Sequence, residues 1–406
     1  MTAATPSRAA APDDAIDGVI PGRVLEPDTA AELAMALADA TASRRSTVVR
    51  GGGTKVSWGR RPSAVDQVLS TSGLRSPLLH RDGDLTATVG AGVRVADLNL
   101  HLNQKGQWLP VESPFAGATV GGLVATNESG PFRHRFGTPR DLLIGVTLAL
   151  PDGRLVKSGG TVVKNVAGYD LGRLISGSLG SLAVIVDATF KLSPLAPVSA
   201  TMRLRCEAPS VIVAACAAVS SSQLEPAAFD LRIACAAGQT PARELLVRFT
   251  TSPHAAATQS AALAALVPGF AAVSGDAETD LWRGQLTVPW QGSATVRCSW
   301  APAALAEVVL LLESCATDLS GLVFAGRAAV GAGFVRLDGE VAAQAAAVAR
   351  LRQSPALAHV VLLGATPELK DLVDVWGSRV PWSQPLDALK RALDPAGILG
   401  AGRGPL

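Results

Sequence analysis

Along the 406-residue chain the spacing of hydrophobic positions changes period repeatedly, and each change marks an element. Residues 19–25 alternate as a strand until Pro27-Asp28-Thr29 breaks the run. Thr29 with Glu32 makes a capping box, and Leu33 and Leu37 follow at helical spacing, so a helix starts there. The β-branched run Thr47–Val49 predicts a strand that ends in Gly51, Gly52 and Gly53. Asp66–Leu69 reads as a strand, and so does LTATVGAGV beyond the Asp82-Gly83 turn. Val95, Leu98 and Leu102 then move to helical spacing, with Gly106 as the stop. A helix over Val120–Ala125, an apolar strand-like run over Pro139–Leu150 and a Pro151-Asp152-Gly153 turn follow. Alternation returns over Leu182–Leu192.

The proline-rich stretch SPLAP at 193–197 ends this half and sets a domain boundary. Beyond it, strands at Thr201–Cys206, Leu245–Thr250 and His359–Leu363 mix with alanine-rich helices near 209–222, 254–266, 302–316 and 339–353. Leu386–Leu393 reads as a last helix before Asp394-Pro395-Ala396-Gly397, with an apolar face to dock back on the body. The fold class is α+β. Residues 1–18 read as a disordered tail, 19–194 as one domain, 198–380 as a second, and 381–406 as a docking segment.

Composition narrows the function. A chain of this length exceeds what one core usually holds, and 48% hydrophobic with 17% charged residues supplies ample core material. Its apolar runs are shorter than the roughly 20 residues of a membrane span, and the N-terminal stretch lacks the apolar core of a signal peptide. A soluble cytoplasmic protein is therefore expected. Thirty-six basic against 34 acidic residues give a net charge of +2, too small to imply a nucleic-acid surface or an anionic membrane. Cys206, Cys216, Cys235, Cys298 and Cys315 show no C-x-x-C spacing, so they read as buried small residues rather than cluster ligands. His80, His101, His134, His254 and His359 contain no H-x-H pair, so no metal site is expected.

What changes the picture is glycine. In RGGGTKVSWG, residues 50–59, three side-chain-free positions leave their N–H groups open and permit positive φ, the requirement for a nest that points donors at one anion. Lys55 and Arg50 add positive charge, and a pyrophosphate is the matching guest. The alternative is a strand-ending turn. Recurrence favours the nest: GATVGG at 117–122, NESG at 127–130, Gly159-Gly160 and GSLG at 177–180 follow. Thr119 opens the Val120–Ala125 helix, whose N-terminus would add bare donors. Neither Walker A nor G-x-G-x-x-G is present.

Four blocks, RGGGTKVSWG, PFAGATVGGLVATNESG, RFGTPRDLLIGVTLALPDG and VVKNVAGYDLGRLISGSLGSLAVIVDATFKLSP, carry a resemblance to the vanillyl-alcohol-oxidase or PCMH-type FAD-binding superfamily, and more narrowly to the FAD-binding E-subunit family of glycolate oxidase. The resemblance implies a two-subdomain FAD-binding domain followed by an α+β cap. It implies that Gly51, Gly52, Gly53, Thr54 and Lys55 hold the pyrophosphate, that Pro114, Thr119, Gly121 and Gly122 face it, and that Asn127, Ser129, Gly130 and Gly137 support the ribityl and ring region. Gly180 and Ile185 would contribute backbone groups. Thr54 stands where covalent relatives carry His, so FAD would be non-covalent.

The resemblance further implies a subunit of a multi-subunit glycolate oxidase, oxidising glycolate to glyoxylate beside a homologous FAD-linked catalytic subunit and an iron–sulfur subunit, with membrane association only through such partners. Two departures bear on this. GSLGSLAV places Leu179 where self-sufficient relatives carry an acid, and LDPAGILGAG has Gly400 and Ala401 in place of Asn-Pro. His134, between Arg133 and Arg135, is the remaining base candidate; the alternative for it is a solvated basic loop. The catalytic residues are otherwise open. So is the function between that relay subunit, a stand-alone flavin-dependent 2-hydroxyacid oxidase, and a non-catalytic structural subunit.

Overall fold

The computed structural model describes residues 5–161, 169–377, 383–400 and 402–404. The chain divides into two compact units. The first comprises Met1–Ser129, Gly137–Leu195 and Ser378–Leu406, and the second Gly130–Phe136 with Ala196–Gly377. The division at Leu195 falls inside the SPLAP stretch.

In the first unit, β1 (Ser7–Ala9), β2 (Arg23–Leu25), β3 (Thr47–Arg50) and β4 (Gln67–Ser70) form a sheet in the order β1-β2-β4-β3. β2 and β3 flank β4 in parallel, and β1 runs antiparallel to β2. A second, antiparallel sheet has the order β5-β6-β10-β8-β9, with β5 at Leu78–Arg81, β6 at Thr86–Gly90, β8 at Leu143–Ala149, β9 at Leu155–Gly159 and β10 at Val184–Lys191. β7 (Gln107–Trp108) pairs with β11 (Ser193–Pro194).

The alternation in β10 explains how this sheet is covered on both faces. Val184 and Val186 pack with Leu33 and Leu37 of helix α1 (Ala30–Ala42), while Ile185, Ala188 and Phe190 pack with helices α2 (Val95–Asn103) and α3 (Val120–Thr126). The register shift between Ile185 and Asp187 lets the face change partway along the strand. α1 begins as its capping box requires: Thr29 Oγ1 accepts from the Glu32 N–H at 3.2 Å, and Glu32 Oε2 accepts from the Thr29 N–H at 3.3 Å.

Two expectations are corrected here. Residues 5–18 are an ordered arm, not a disordered tail: Ser7–Ala9 pair with Arg23–Leu25, Ile16 is fully buried, and the Asp14 carboxylate is held by Arg8 at 2.6 Å. The run Pro139–Leu150 is not one strand. Pro139 occupies a first helical position, and Asp141 Oδ2 accepts from the Thr138 N–H and hydroxyl, both at 2.8 Å, so a turn of helix (Pro139–Leu142) precedes β8.

The second unit is one antiparallel sheet of eight strands, β15-β12-β14-β13-β17-β18-β16-β19. In chain order these are β12 (Val198–Arg205), β13 (Ala228–Ala236), β14 (Ala242–Thr251), β15 (Ala271–Val273), β16 (Ala294–Ser299), β17 (Gly321–Arg327), β18 (Ala332–Asp338) and β19 (His359–Gly364). One face carries Phe229, Leu231, Val247, Val296, Phe324 and Val335 into a core closed by the helices Pro209–Ser220, Leu305–Cys315 and Val341–Gln353. The opposite face buries Asp230 against Arg327 at 3.7 Å, with the Gln285 amide donating to Asp230 at 2.9 Å. All five cysteines lie buried in this unit as free thiols. Among the described residues, no helix is long and apolar enough to cross a membrane.

Candidate functional site

β3 ends at Arg50, and the chain then turns through Gly51–Lys55 along one wall of a cleft. The three glycines meet two different needs. Only Gly53 takes a positive φ, +74°. Gly51 and Gly52 instead permit close approach of another loop: a Cβ on Gly51 would lie 2.2 Å from Thr119 Oγ1, and one on Gly52 would lie 1.8 Å from the Gly117 carbonyl oxygen. Among the described residues, the N–H groups of Gly51, Gly52, Gly53, Thr54 and Lys55 donate no hydrogen bond. Backbone donors rarely go unused, and a consecutive row of them in a concave wall is a cradle for an anion.

The facing wall is built differently from expectation. The N-terminus of α3 offers no bare donors at its start. The Val120 N–H donates to Val93 at 2.9 Å, Gly121 to Ala91 at 2.9 Å, and Gly122 to the Thr119 hydroxyl at 3.4 Å. Thr119 thus caps the helix, and Gly121 is small because a Cβ there would stand 2.9 Å from that of Ala91.

The two basic residues flanking the glycines are also engaged elsewhere. Lys55 is buried and ion-paired with Glu128, which is more deeply buried still; Lys55 also lies over the Trp58 ring at 5.8 Å and the Phe115 ring at 5.7 Å. Burial pushes the Glu128 carboxyl up, against the opposing pull of Lys55. Arg50 is paired with Asp14 at 2.9 Å. The hydrogen bond from Arg8, followed by that from the Ala11 N–H, holds Asp14 well below the usual carboxylate range. Both expected phosphate cations are therefore already matched by carboxylates, and the anion-binding capacity of this wall rests on main-chain dipoles.

Of the residues expected at the site, Gly51, Gly52, Gly53, Thr54, Lys55, Thr119, Gly121, Gly122, Gly180 and Ile185 line this one cleft. Pro114, Asn127, Ser129 and Gly137 belong to the same unit but are not among its lining residues, and Gly130 belongs to the second unit. Asn127 acts locally instead, ending α3 at φ 48° while its Oδ1 accepts from the Arg140 N–H at 3.1 Å. Gly137 (φ +80°) turns the chain against Asp141. His134 also lies in the second unit, its ring edge-on to Phe229 at 6.2 Å, and burial followed by the charge of Arg135 lowers its pKa. Tyr169 is 91% exposed.

Other lining residues could not be read from spacing. Leu179 sits in the left-handed region at φ 55°, unusual for a bulky side chain. Gly400 and Arg403 come from far along the chain. The LDPAGILGAG block marked Gly400 only as a departure from relatives, not as a cleft residue, and nothing in the local pattern pointed to Arg403.

Residues 21–159 match the family model described as an FAD binding domain. The first unit thus resembles a PCMH-type FAD-binding domain. The chain is 36% identical over 171 residues to D-lactate dehydrogenase of Archaeoglobus fulgidus, covering 42% of this chain and 38% of that one. It is 34% identical over 166 residues to glycolate oxidase subunit GlcE of Escherichia coli, covering 40% of this chain and 47% of the relative. It thus spans less than half the length of both. Among solved structures, alkyldihydroxyacetonephosphate synthase superposes with a TM-score of 0.68 over 94% of this chain and 77% of that one at 14% identity, a likeness of fold. The cleft fits what an FAD-binding domain must hold: a row of unused N–H donors, in a space that a Cβ would fill, matches a diphosphate.

Proposed function

We propose that the chain is the FAD-binding subunit of a multi-subunit glycolate oxidase or dehydrogenase, holding FAD non-covalently in the cleft and passing electrons toward an iron–sulfur partner. The observation that carries this reading is the undonated N–H row Gly51–Lys55 pressed against the Gly117–Thr119 loop. When bound, FAD supplies the hydride acceptor for oxidation of a 2-hydroxyacid. The chain's own residues would hold the diphosphate on the Gly51–Lys55 amides, keep the facing loop in place through Thr119, and keep both flanking cations paired so that the wall carries little net charge.

A relay role is favoured over self-sufficient oxidation by the composition of the cleft. Among the described lining residues, the charged side chains are Arg50, Lys55 and Arg403, and no carboxylate, histidine or tyrosine that could take a substrate proton is present. A homologous partner subunit would then perform the oxidation. The D-lactate dehydrogenase relative supports a second reading, in which the chain oxidises a small 2-hydroxyacid unaided.

An anaerobic absorbance spectrum tests both. The purified chain is expected to be yellow, unbleached by glycolate or D-lactate alone, and bleached by glycolate once partner subunits are added. Bleaching without partners would establish the second reading. Within an assembled complex, Gly52→Asp should abolish turnover; unchanged turnover would leave only a scaffolding role.

A further inference from the structure

We propose that residues 398–400 and 402–404 form a strap that fixes two loops of the cleft, with Arg403 as its positioning residue, so that FAD affinity depends on a side chain more than 340 positions from the glycine loop. The proposal rests on the reading of the cleft as the FAD site.

The strap is fastened first by Asp394. Its buried carboxylate accepts from the Ile398 N–H at 3.1 Å, the Leu399 N–H at 2.8 Å and Lys390 Nζ at 2.6 Å. Lys390 also donates to the carbonyls of Ser181 at 2.7 Å and Leu399 at 2.9 Å. Thr47, at the start of the strand that feeds the glycine loop, donates to Ile398 at 2.7 Å and accepts from the Gly400 N–H at 3.0 Å. Gly400 (φ +82°) then passes so close to Ser181 that a Cβ would stand 3.3 Å from the serine's own. Arg403 follows, buried at 7% exposure.

Its guanidinium donates to the carbonyls of Val56, Trp58 (2.5 Å) and Arg60 (3.4 Å), in the stretch that continues directly from Lys55. The loop returns the contacts: the Arg60 N–H donates to the Arg403 carbonyl at 3.0 Å, and the Arg60 side chain to the Gly404 carbonyl at 2.5 Å. Gly59 (φ +98°) makes room, since a Cβ there would lie 2.7 Å from the Arg403 oxygen. Loop carbonyls outside a ladder need partners, and a planar fork of donors can serve several at fixed angles where an ammonium cannot. Val56, Trp58 and Arg403 line the same cleft as Gly51–Lys55, so releasing the fork would loosen the wall next to the undonated amides.

The test is titration of apo-protein with FAD, followed by flavin fluorescence and by visible circular dichroism of the bound flavin, for wild type, Arg403→Met and Arg403→Lys. The thermal midpoint of each apo form is recorded alongside. Arg403→Met is expected to weaken FAD binding by about tenfold or more through loss of charged hydrogen bonds and to change the dichroism of the bound flavin. Arg403→Lys should recover part of the affinity. Wild-type affinity and dichroism in Arg403→Met would overturn the strap while leaving the cleft reading intact. Should Arg403→Met fail to fold, wild-type affinity in Arg403→Lys would overturn it equally. A wild-type chain that takes up no FAD would overturn the cleft reading, and the strap's role with it.

Discussion

Single residues in this cleft serve purposes that their type alone does not reveal. Gly51 and Gly52 are small for reasons of loop-to-loop distance, and Gly53 for its backbone angle. Gly52→Ala places a carbon where the Gly117 carbonyl lies, so it should lower stability by ~1–3 kcal/mol and release FAD. Gly83→Ala, with nothing within 4 Å, is the matched control that should do neither. Thermal melts and the flavin absorbance of the purified variants check both. Lys55 was expected to meet phosphate; its partner is Glu128. Removing the lysine alone leaves a buried carboxylate, at a cost of about 3–5 kcal/mol, and the double change Lys55→Met with Glu128→Leu should recover most of it. The pH dependence has a definite sign. Burial already raises the Glu128 carboxyl, and losing Lys55 raises it further, so the folded state binds more protons than the unfolded one above the ordinary carboxylate range. Lys55→Met should therefore lose stability as pH rises from acid toward neutral, more steeply than wild type. Urea melts at a series of pH values measure this, and a flat difference would exclude the buried pair.

At the scale of elements, local chemistry was most legible where it acts within a few residues. The Thr29–Glu32 capping box, the β-branched strand before the glycines and the helix after Thr119 all form as their patterns demand. Thr29→Ala should destabilise by ~1 kcal/mol, measured by urea denaturation, because it strands an N–H at the start of α1. Local reading failed where a distant partner decides the outcome. At Pro139–Leu142 the miss was local instead: an unread capping box, Thr138 with Asp141, closes a helical turn ahead of the apolar run. Residues 5–18 lack any strong period, yet they are ordered because Asp14 gathers Arg8 and Arg50 and because Ile16 finds a core with Val24, Val48, Val65 and Val68. The start of α3 follows the same lesson: a helix end is an anion site only if its amides are left over, and Val93 and Ala91 take the first of them.

For the whole molecule, two units with separate cores account for the content of apolar residues, and the core of the second also takes the cysteines. Burial pushes all five thiols up, Cys216 and Cys298 to about 12. A thiol reagent should thus find no fast-reacting group in the native protein and all five after denaturation; a rapid native thiol would contradict this packing. Period, capping and glycine content act over a few residues, so the α+β class and the likeness to FAD-binding proteins could be read from the order of amino acids. Which amides remain unused, which carboxylates meet Arg50 and Lys55, and which arginine holds the loop beyond them depend on chain segments tens to hundreds of positions apart. Hydrogen bonds and ion pairs form between neighbours in space, and only the packed chain makes Glu128 a neighbour of Lys55 or Arg403 a neighbour of Trp58.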